Sequence, residues 1–152
     1  MFTTQLGVSQ IGNLIQLAMA PAFLLVATGN ILQMFANRLA RVIDRERVQM
    51  AEFSRTEGEE HVRVVNELRI LDRRAAIVNM AILMGTLSAV TVSLLIAAMF
   101  VLAVTGFKFG YVVAGGFILA MAFLIAGLIL FVFEIRLATR NIRIEERLLT
   151  LD

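Results

Sequence analysis

Two adjoining stretches decide the fold of this chain: GNLIQLAMAPAFLLVATGNILQMFA, residues 12–36, and NRLARVIDRER, residues 37–47. The first has no charged side chain, whereas the second contains four Arg, one Asp and one Glu. About 20 apolar residues in a helix cross the hydrocarbon of a bilayer. The two stretches therefore predict a membrane-spanning helix that leaves the hydrocarbon at Arg38 and continues outward as a charged helix.

The composition agrees with a membrane protein. Of the 152 residues, 59% are hydrophobic and 17% are charged, and the mean hydropathy is +0.84. A soluble domain is usually about half apolar and a quarter charged. The chain has no Cys, which excludes disulfides, thiol catalysis and Cys-ligated metals. Since the formal charge is only +2 and acids are interleaved with the Arg, we expect no nucleic-acid partner.

Three long uncharged blocks predict an all-α membrane protein, a single domain over residues 1–152. The predicted spans cover residues 12–36, 76–104 and 111–133, and GFKFG at 106–110 connects the last two. Every Arg lies between 38 and 74 or after Glu134, and the other side has only Lys108. By the positive-inside rule we expect the N-terminus outside and the C-terminus in the cytoplasm.

The segments beyond the spans keep a helical apolar stripe. Leu39, Ile43, Met50 and Phe53 continue the first span, and Gly58 in SRTEGEE (54–60) is suited to a left-handed turn. Steps of four and three join Val64, Leu68, Leu71, Ala75, Val78, Ile82 and Gly85, and the tail has Leu137, Ile144, Leu148 and Leu151. We expect a cytoplasmic helical hairpin (37–75) and tail (134–152) to form a coiled-coil-like three-helix stalk. The alternative is a tail that lies flat on the membrane.

Polar and small residues recur inside the predicted spans. On the first span, one helical face holds residues 13, 16, 20, 23, 27, 30, 34 and 37. The third span has small residues in close steps: Gly116, Ala120 and Gly127, with Ala122 and Ala126. The intramembrane polar residues are Asn13, Gln16, Asn30, Asn37, Asn79, Thr86 and Ser93. Such residues favour close helix packing and hydrogen bonds between helices. The alternative is a polar path for ions or water that forms when copies assemble.

The charged residues beside the spans predict an interfacial ion-pair cluster. Its candidate members are Arg38, Arg41, Asp44, Arg45, Asp72, Arg73, Arg74, Glu134 and Arg136. Along its own helix Asp44 can reach Arg41 or Arg47. Simple anchoring of the membrane by Arg explains the cations but not the neighbouring carboxylates. We therefore expect ion pairs that hold the helices in register, with Asp44 important for stability.

Residues typical of catalysis are few. His61 is the single histidine, and EGEEH (57–61) lacks the spaced oxygen ligands of a calcium loop. The glycines at positions 106, 110, 115, 116 and 127 lie in or beside apolar spans, unlike those of a phosphate-binding loop. We expect no catalytic, cofactor-binding or metal-binding residue, no cofactor, and no enzyme activity.

The run PAFLLVATGNILQMFANRLARVIDRER, residues 21–47, resembles the bacterial family catalogued as domain of unknown function 2721. In that family a Pro-containing first span leads into an RLARIVDR-like segment, and an Arg-rich stretch precedes the second span. The matching residues here are Pro21, Arg38, Leu39, Ala40, Arg41, Asp44, Arg45, Leu71, Arg73 and Arg74. The resemblance implies a small bacterial membrane protein with three helices, and it implies no activity or substrate.

These patterns favour a non-enzymatic protein of the bacterial inner membrane that crosses the lipid bilayer several times. We expect a homo-oligomeric assembly or a scaffold that binds a protein partner through its cytoplasmic helices. The alternative function is a subunit of an oligomeric ion channel or transporter, with a polar path lined by Asn, Thr and Ser side chains.

Overall fold

The computed structural model describes the backbone of residues 8–53, 57–105 and 110–149, and the side chains of 12–53, 57–103, 105 and 110–138. These residues form three α-helices, α1 (Val8–Phe53), α2 (Glu59–Thr105) and α3 (Gly110–Leu149). All three are long and apolar enough to cross a membrane, with mean hydropathies of 1.7, 2.3 and 2.8 in their candidate spans. The expected all-helical fold with three such helices is confirmed.

Each apolar block continues without a break into the charged segment beside it. Helix α1 runs through Arg38 to Phe53, α2 runs from Glu59 into the second block, and α3 extends past Glu134. Good helix formers such as Leu, Ala, Glu and Arg dominate these junctions. The predicted continuation of the helices beyond their apolar blocks is therefore confirmed for the described backbone.

The start of α2 follows from its sequence. Gly58 has a φ of +73°, a conformation that glycine adopts without the steric cost of a Cβ atom. The Val62 amide donates to the Gly58 carbonyl oxygen at 3.5 Å. Glu59 and Glu60 occupy the first turn, where negative charge is favourable beside the unpaired amides of a helix N-terminus. The expected left-handed glycine is confirmed, and residues 54–56 and 106–109 lie outside the described residues.

The chain divides into two compact units, each with parts of all three helices. The first, the Gly–Ser unit, comprises residues 1–32 and 85–125. A Cβ atom on Gly85 would lie 2.8 Å from Leu32 Cδ2, and one on Gly116 would lie 2.5 Å from Leu95 Cδ2. The Ser88 hydroxyl donates to the Ala120 carbonyl oxygen at 2.8 Å. Small residues therefore bring the helices of this unit close together.

The second, the ion-pair unit, comprises residues 33–84 and 126–152. The rings of Phe35 and Phe131 stack with centroids 4.3 Å apart, and Val42 is also buried. The members of the stripe expected on α2 that lie in this unit, from Val64 to Ile82, are all buried or half-buried, with Val78 fully buried. On α1 Leu39 and Ile43 are half-buried, whereas Met50 and Phe53 are exposed. The tail residues Ile144, Leu148 and Leu151 lie outside the described side chains.

Candidate functional site

Glu134 is the most unusual residue of the ion-pair unit, because its carboxylate is fully buried. The Arg38 Nε donates to Glu134 Oε2 at 2.6 Å. Arg74 donates to Oε1 from Nε at 3.2 Å and from Nη2 at 2.9 Å. A buried carboxylate is tolerated only when cations and hydrogen bonds compensate its lost hydration. Arg38, Arg74 and Glu134, one residue from each helix, form what we call the Glu134 cluster.

The sequence positions of the cluster residues explain why they meet. Arg38 is the first charged residue after the opening uncharged block, and Arg74 is the last before the block 75–107. Glu134 is the first charged residue after the uncharged block 109–133. Each helix therefore contributes the charged side chain that directly borders its apolar block.

An aromatic contact strengthens the same junction. Phe35 and Arg38 are three residues apart on α1, and Phe131 and Glu134 are three residues apart on α3. Side chains at this spacing lie on one helical face. Phe35 stacks on Phe131, and the Arg38 guanidinium carbon lies 5.9 Å from the centroid of the Phe131 ring. That distance is within the range of a cation–π contact, so Arg38 contacts two side chains of α3.

The remaining candidates for the ion-pair cluster are on the surface. The exposed members are Arg41, Asp44, Arg45, Asp72, Arg73 and Arg136. The Arg41 Nε donates to the Asn37 carbonyl oxygen at 3.4 Å. The carboxylate of Asp44 forms no salt bridge with any described residue, so the expected pairing with Arg41 or Arg47 is wrong for this part of the chain. Asp44 lies six residues beyond Arg38, which turns it away from the face that meets Glu134.

The polar face of α1 points outward. All eight of its positions, 13, 16, 20, 23, 27, 30, 34 and 37, are exposed, and we call them the amide face. Gln33, also exposed, donates from Nε2 to Asn37 Oδ1 at 3.2 Å. The buried residues of α1 are Ala18, Pro21, Thr28, Phe35 and Val42, spaced by three and seven. The amide face therefore does not pack inside the three-helix bundle of a single chain, because the buried residues of α1 lie on a different face of the helix.

The polar residues predicted on α2 are also exposed. Asn79, Thr86 and Ser93 each follow a buried residue by one position, which rotates them out of the interior. The Ser93 hydroxyl donates to Ala89 of its own helix at 2.9 Å. The buried hydroxyls that sequence reasoning missed are Ser88, which bonds α3, and Thr28, which bonds Leu24 at 2.8 Å. The seven-residue spacing of Ala81, Ser88 and Leu95 was an available signal, since all three are buried.

His61, near the acidic turn, contacts an aromatic side chain. The His61 ring lies 4.3 Å from the Phe53 ring, so its contact is aromatic. Among the described residues, no group of three His, Cys, Asp or Glu side chains is placed to hold a metal ion. Within the described residues, the Glu134 cluster and the amide face are candidate features for function.

The comparisons with known proteins identify a family for this chain. The model of a family described as a protein of unknown function, DUF2721, matches residues 18–144, which is most of the chain. The match includes both Arg38 and Arg74 of the Glu134 cluster, together with Glu134 itself. No curated protein and no solved structure matches the chain significantly. The chain therefore belongs to the DUF2721 family of proteins of unknown function.

Proposed function

We propose that the protein is a non-enzymatic scaffold of the bacterial inner membrane whose copies assemble through the amide face of α1. The observation that supports this proposal is the exposure of all eight positions of that face in a single chain. Three of them, Asn13, Gln16 and Asn30, carry side-chain amides within an otherwise apolar segment. Amides exposed to hydrocarbon are unfavourable unless they find hydrogen-bond partners.

A second copy supplies suitable partners. An amide has both donors and an acceptor, so identical amides on two copies can bond each other. Hydrogen bonds between membrane helices contribute about 0.6 kcal/mol on average and about 1–2 kcal/mol in peptides. Ala20 and Ala27 share the face and allow two backbones to approach closely. The amide face thus combines the small and polar residues that membrane helices use to associate.

The charged arms provide a second surface for a protein partner. Val48 on α1 and Val62 on α2 are 66% and 61% exposed, although both lie in segments rich in charge. Met50 is 58% exposed in the same region. Apolar side chains that lie outside the predicted spans are not covered by lipid, and a protein partner would remove them from water.

The proposed orientation places these arms and the C-terminus in the cytoplasm, with the N-terminus outside. Its support is the distribution of Arg, which the positive-inside rule assigns to the cytoplasmic side. In intact cells, an impermeant thiol reagent should label Lys108→Cys and should leave Gly58→Cys unlabelled. The opposite labelling pattern would reverse the proposed orientation.

Crosslinking tests assembly directly, since the natural chain has no Cys. Ala27→Cys, at the centre of the amide face, should give disulfide-linked dimers in membranes under mild oxidation. The matched control is Val90→Cys, which is 50% exposed on α2. Val90 lies at a depth in the membrane similar to that of Ala27. The reason is that α1 and α2 run antiparallel, and each of the two residues is five positions from the contact between Leu32 and Gly85. Equal crosslinking of the two variants, or none at Ala27→Cys, would refute assembly through this face.

Copy number gives an independent test. The variant Asn30→Leu should shift wild-type oligomers toward monomers in lipid nanodiscs, measured by native mass spectrometry. Asn79→Leu replaces another exposed amide on α2 and should leave the copy number unchanged. A wild-type protein that is monomeric in lipid would contradict the proposal.

The second candidate function is a channel or transport subunit, and the exposure of Asn79, Thr86 and Ser93 favours it. If oligomers turn polar faces toward a common axis, these side chains and the amide face would line a path. Ion flux across liposomes that contain the oligomer distinguishes the two functions. Liposomes that stay impermeable to common ions over a range of voltage and pH would support the scaffold alone.

A further inference from the structure

We infer that Arg38, held in place by Glu134, and its neighbour Arg41 bind the phosphate of an anionic phospholipid headgroup. The charge of the cluster is the first reason. Two Arg side chains meet one carboxylate, which leaves a net positive charge. Arg41 lies one helical turn beyond Arg38, is exposed, and forms no salt bridge with a described residue.

The unused donors of Arg38 are the second reason. Arg74 meets Glu134 through both Nε and Nη2, and its side chain is 16% exposed. Arg38 uses only Nε, its side chain is 32% exposed, and its two Nη groups bond no described residue. A guanidinium has five N–H donors in a planar fork that matches phosphate oxygens. Arg38 therefore presents a phosphate-binding edge while its other edge is occupied by Glu134.

The rigidity of this edge makes it a site rather than a mobile surface charge. The 2.6 Å bond to a fully buried carboxylate and the contact with the Phe131 ring restrict the guanidinium of Arg38. A surface Arg must lose side-chain conformational freedom when it binds a ligand. Because Arg38 is already ordered by Glu134, less of that freedom is lost when a phosphate binds.

The neighbouring apolar residues favour a lipid over a free phosphate ion. Arg38 borders the uncharged part of α1, and at the same junction Glu134 borders that of α3. On the apolar side, Val132 is 49% and Phe133 62% exposed. A phospholipid can place its phosphate on Arg38 and Arg41 and its acyl chains on these side chains. Basic residues at the headgroup level attract anionic lipids with about 1 kcal/mol each.

Binding can be measured on the purified full chain in an uncharged detergent. Native mass spectrometry with phosphatidylglycerol should show retained lipid adducts, and phosphatidylcholine at the same concentration should show fewer. The variant Arg41→Gln leaves the three hydrogen bonds of Glu134 in place and should weaken phosphatidylglycerol binding about fivefold. Arg38→Lys keeps the charge but removes the fork, and should also weaken binding.

The matched control is Arg69→Gln, an exposed Arg on α2 that forms no salt bridge with a described residue. It should bind phosphatidylglycerol like the wild type. Equal loss in Arg41→Gln and Arg69→Gln would show nonspecific attraction and overturn the site. Inorganic phosphate, tested in the same way, should bind less well than phosphatidylglycerol. Equal binding of the two would overturn the lipid as the ligand. None of these outcomes depends on the copy number of the protein. Lipid binding is therefore tested separately from the proposed assembly.

Discussion

The two compact units of this protein hold three helices together by different chemistry. In the Gly–Ser unit, Leu side chains pack against Gly85 and Gly116. The Ser88 hydroxyl of α2 donates to the Ala120 carbonyl oxygen of α3. In the ion-pair unit, Arg38 and Arg74 converge on Glu134 beside a stacked aromatic pair. The same three helices therefore use close approach in one unit and charged, directional bonds in the other.

The difference follows from the surroundings that each unit's sequence implies. Within apolar segments, ionisable groups are costly, and helices associate by close packing and neutral hydrogen bonds. Where the charged residues begin, the desolvation cost of an ion-pair cluster is smaller because its Arg side chains stay partly exposed.

The largest expected effect is the loss of both cations of the Glu134 cluster. Arg38→Gln combined with Arg74→Gln leaves a buried carboxylate without its cations, which should lower the free energy of unfolding by about 3–5 kcal/mol. Thermal or denaturant unfolding in detergent, followed by helical circular dichroism, measures the change. Adding Glu134→Gln to the double variant should restore part of the loss because the unpaired charge is removed.

The matched control replaces two exposed Arg residues, Arg45→Gln with Arg73→Gln, and should change stability by less than about 0.5 kcal/mol. Asp44→Ala should likewise have little effect, in contrast to the importance that the sequence pattern assigned to Asp44. If the double variant of the cluster were no less stable than this control, the ion-pair unit would not depend on its buried charges.

The Gly–Ser unit should be sensitive to a single methyl group. In Gly116→Ala the new Cβ would lie 2.5 Å from Leu95 Cδ2 and 3.3 Å from its Cγ, and Leu95 is itself buried. The forced movement should cost about 1–3 kcal/mol. Gly115→Ala has nothing within 4 Å of its Cβ and should be neutral or stabilising, by up to about 1 kcal/mol. Equal unfolding temperatures for these neighbouring variants would contradict close packing at Gly116.

The smallest expected effect is the loss of the hydroxyl between α2 and α3. Ser88→Ala removes the 2.8 Å bond to Ala120 without introducing bulk, and should lower stability by about 0.6 kcal/mol. Ser93→Ala is the control, since its hydroxyl bonds only its own helix. A loss in Ser93→Ala as large as that in Ser88→Ala would show that the bond between helices contributes nothing.

Much of the architecture was predictable because it depends on local properties. The three helices follow from the lengths of the uncharged blocks, and the turn at Gly58 follows from the freedom of glycine. The inner stripe of α2 follows from its steps of four and three. The candidate site was predictable only in part: Arg38, Arg74 and Glu134 were recognised as neighbours of one junction, but so were six other charged residues.

By itself, the sequence determined the number and extent of the helices and the places where each becomes charged. Only the tertiary structure decided the rotation of each helix about its axis. That rotation makes Glu134 the paired carboxylate, leaves Asp44 exposed, and turns the amide face of α1 outward. The physical reason is that hydropathy and helix propensity act along one segment, whereas rotation depends on all three helices packing together. Two contacts between helices depend on this rotation: Phe35 stacks on Phe131, and Leu95 packs against Gly116.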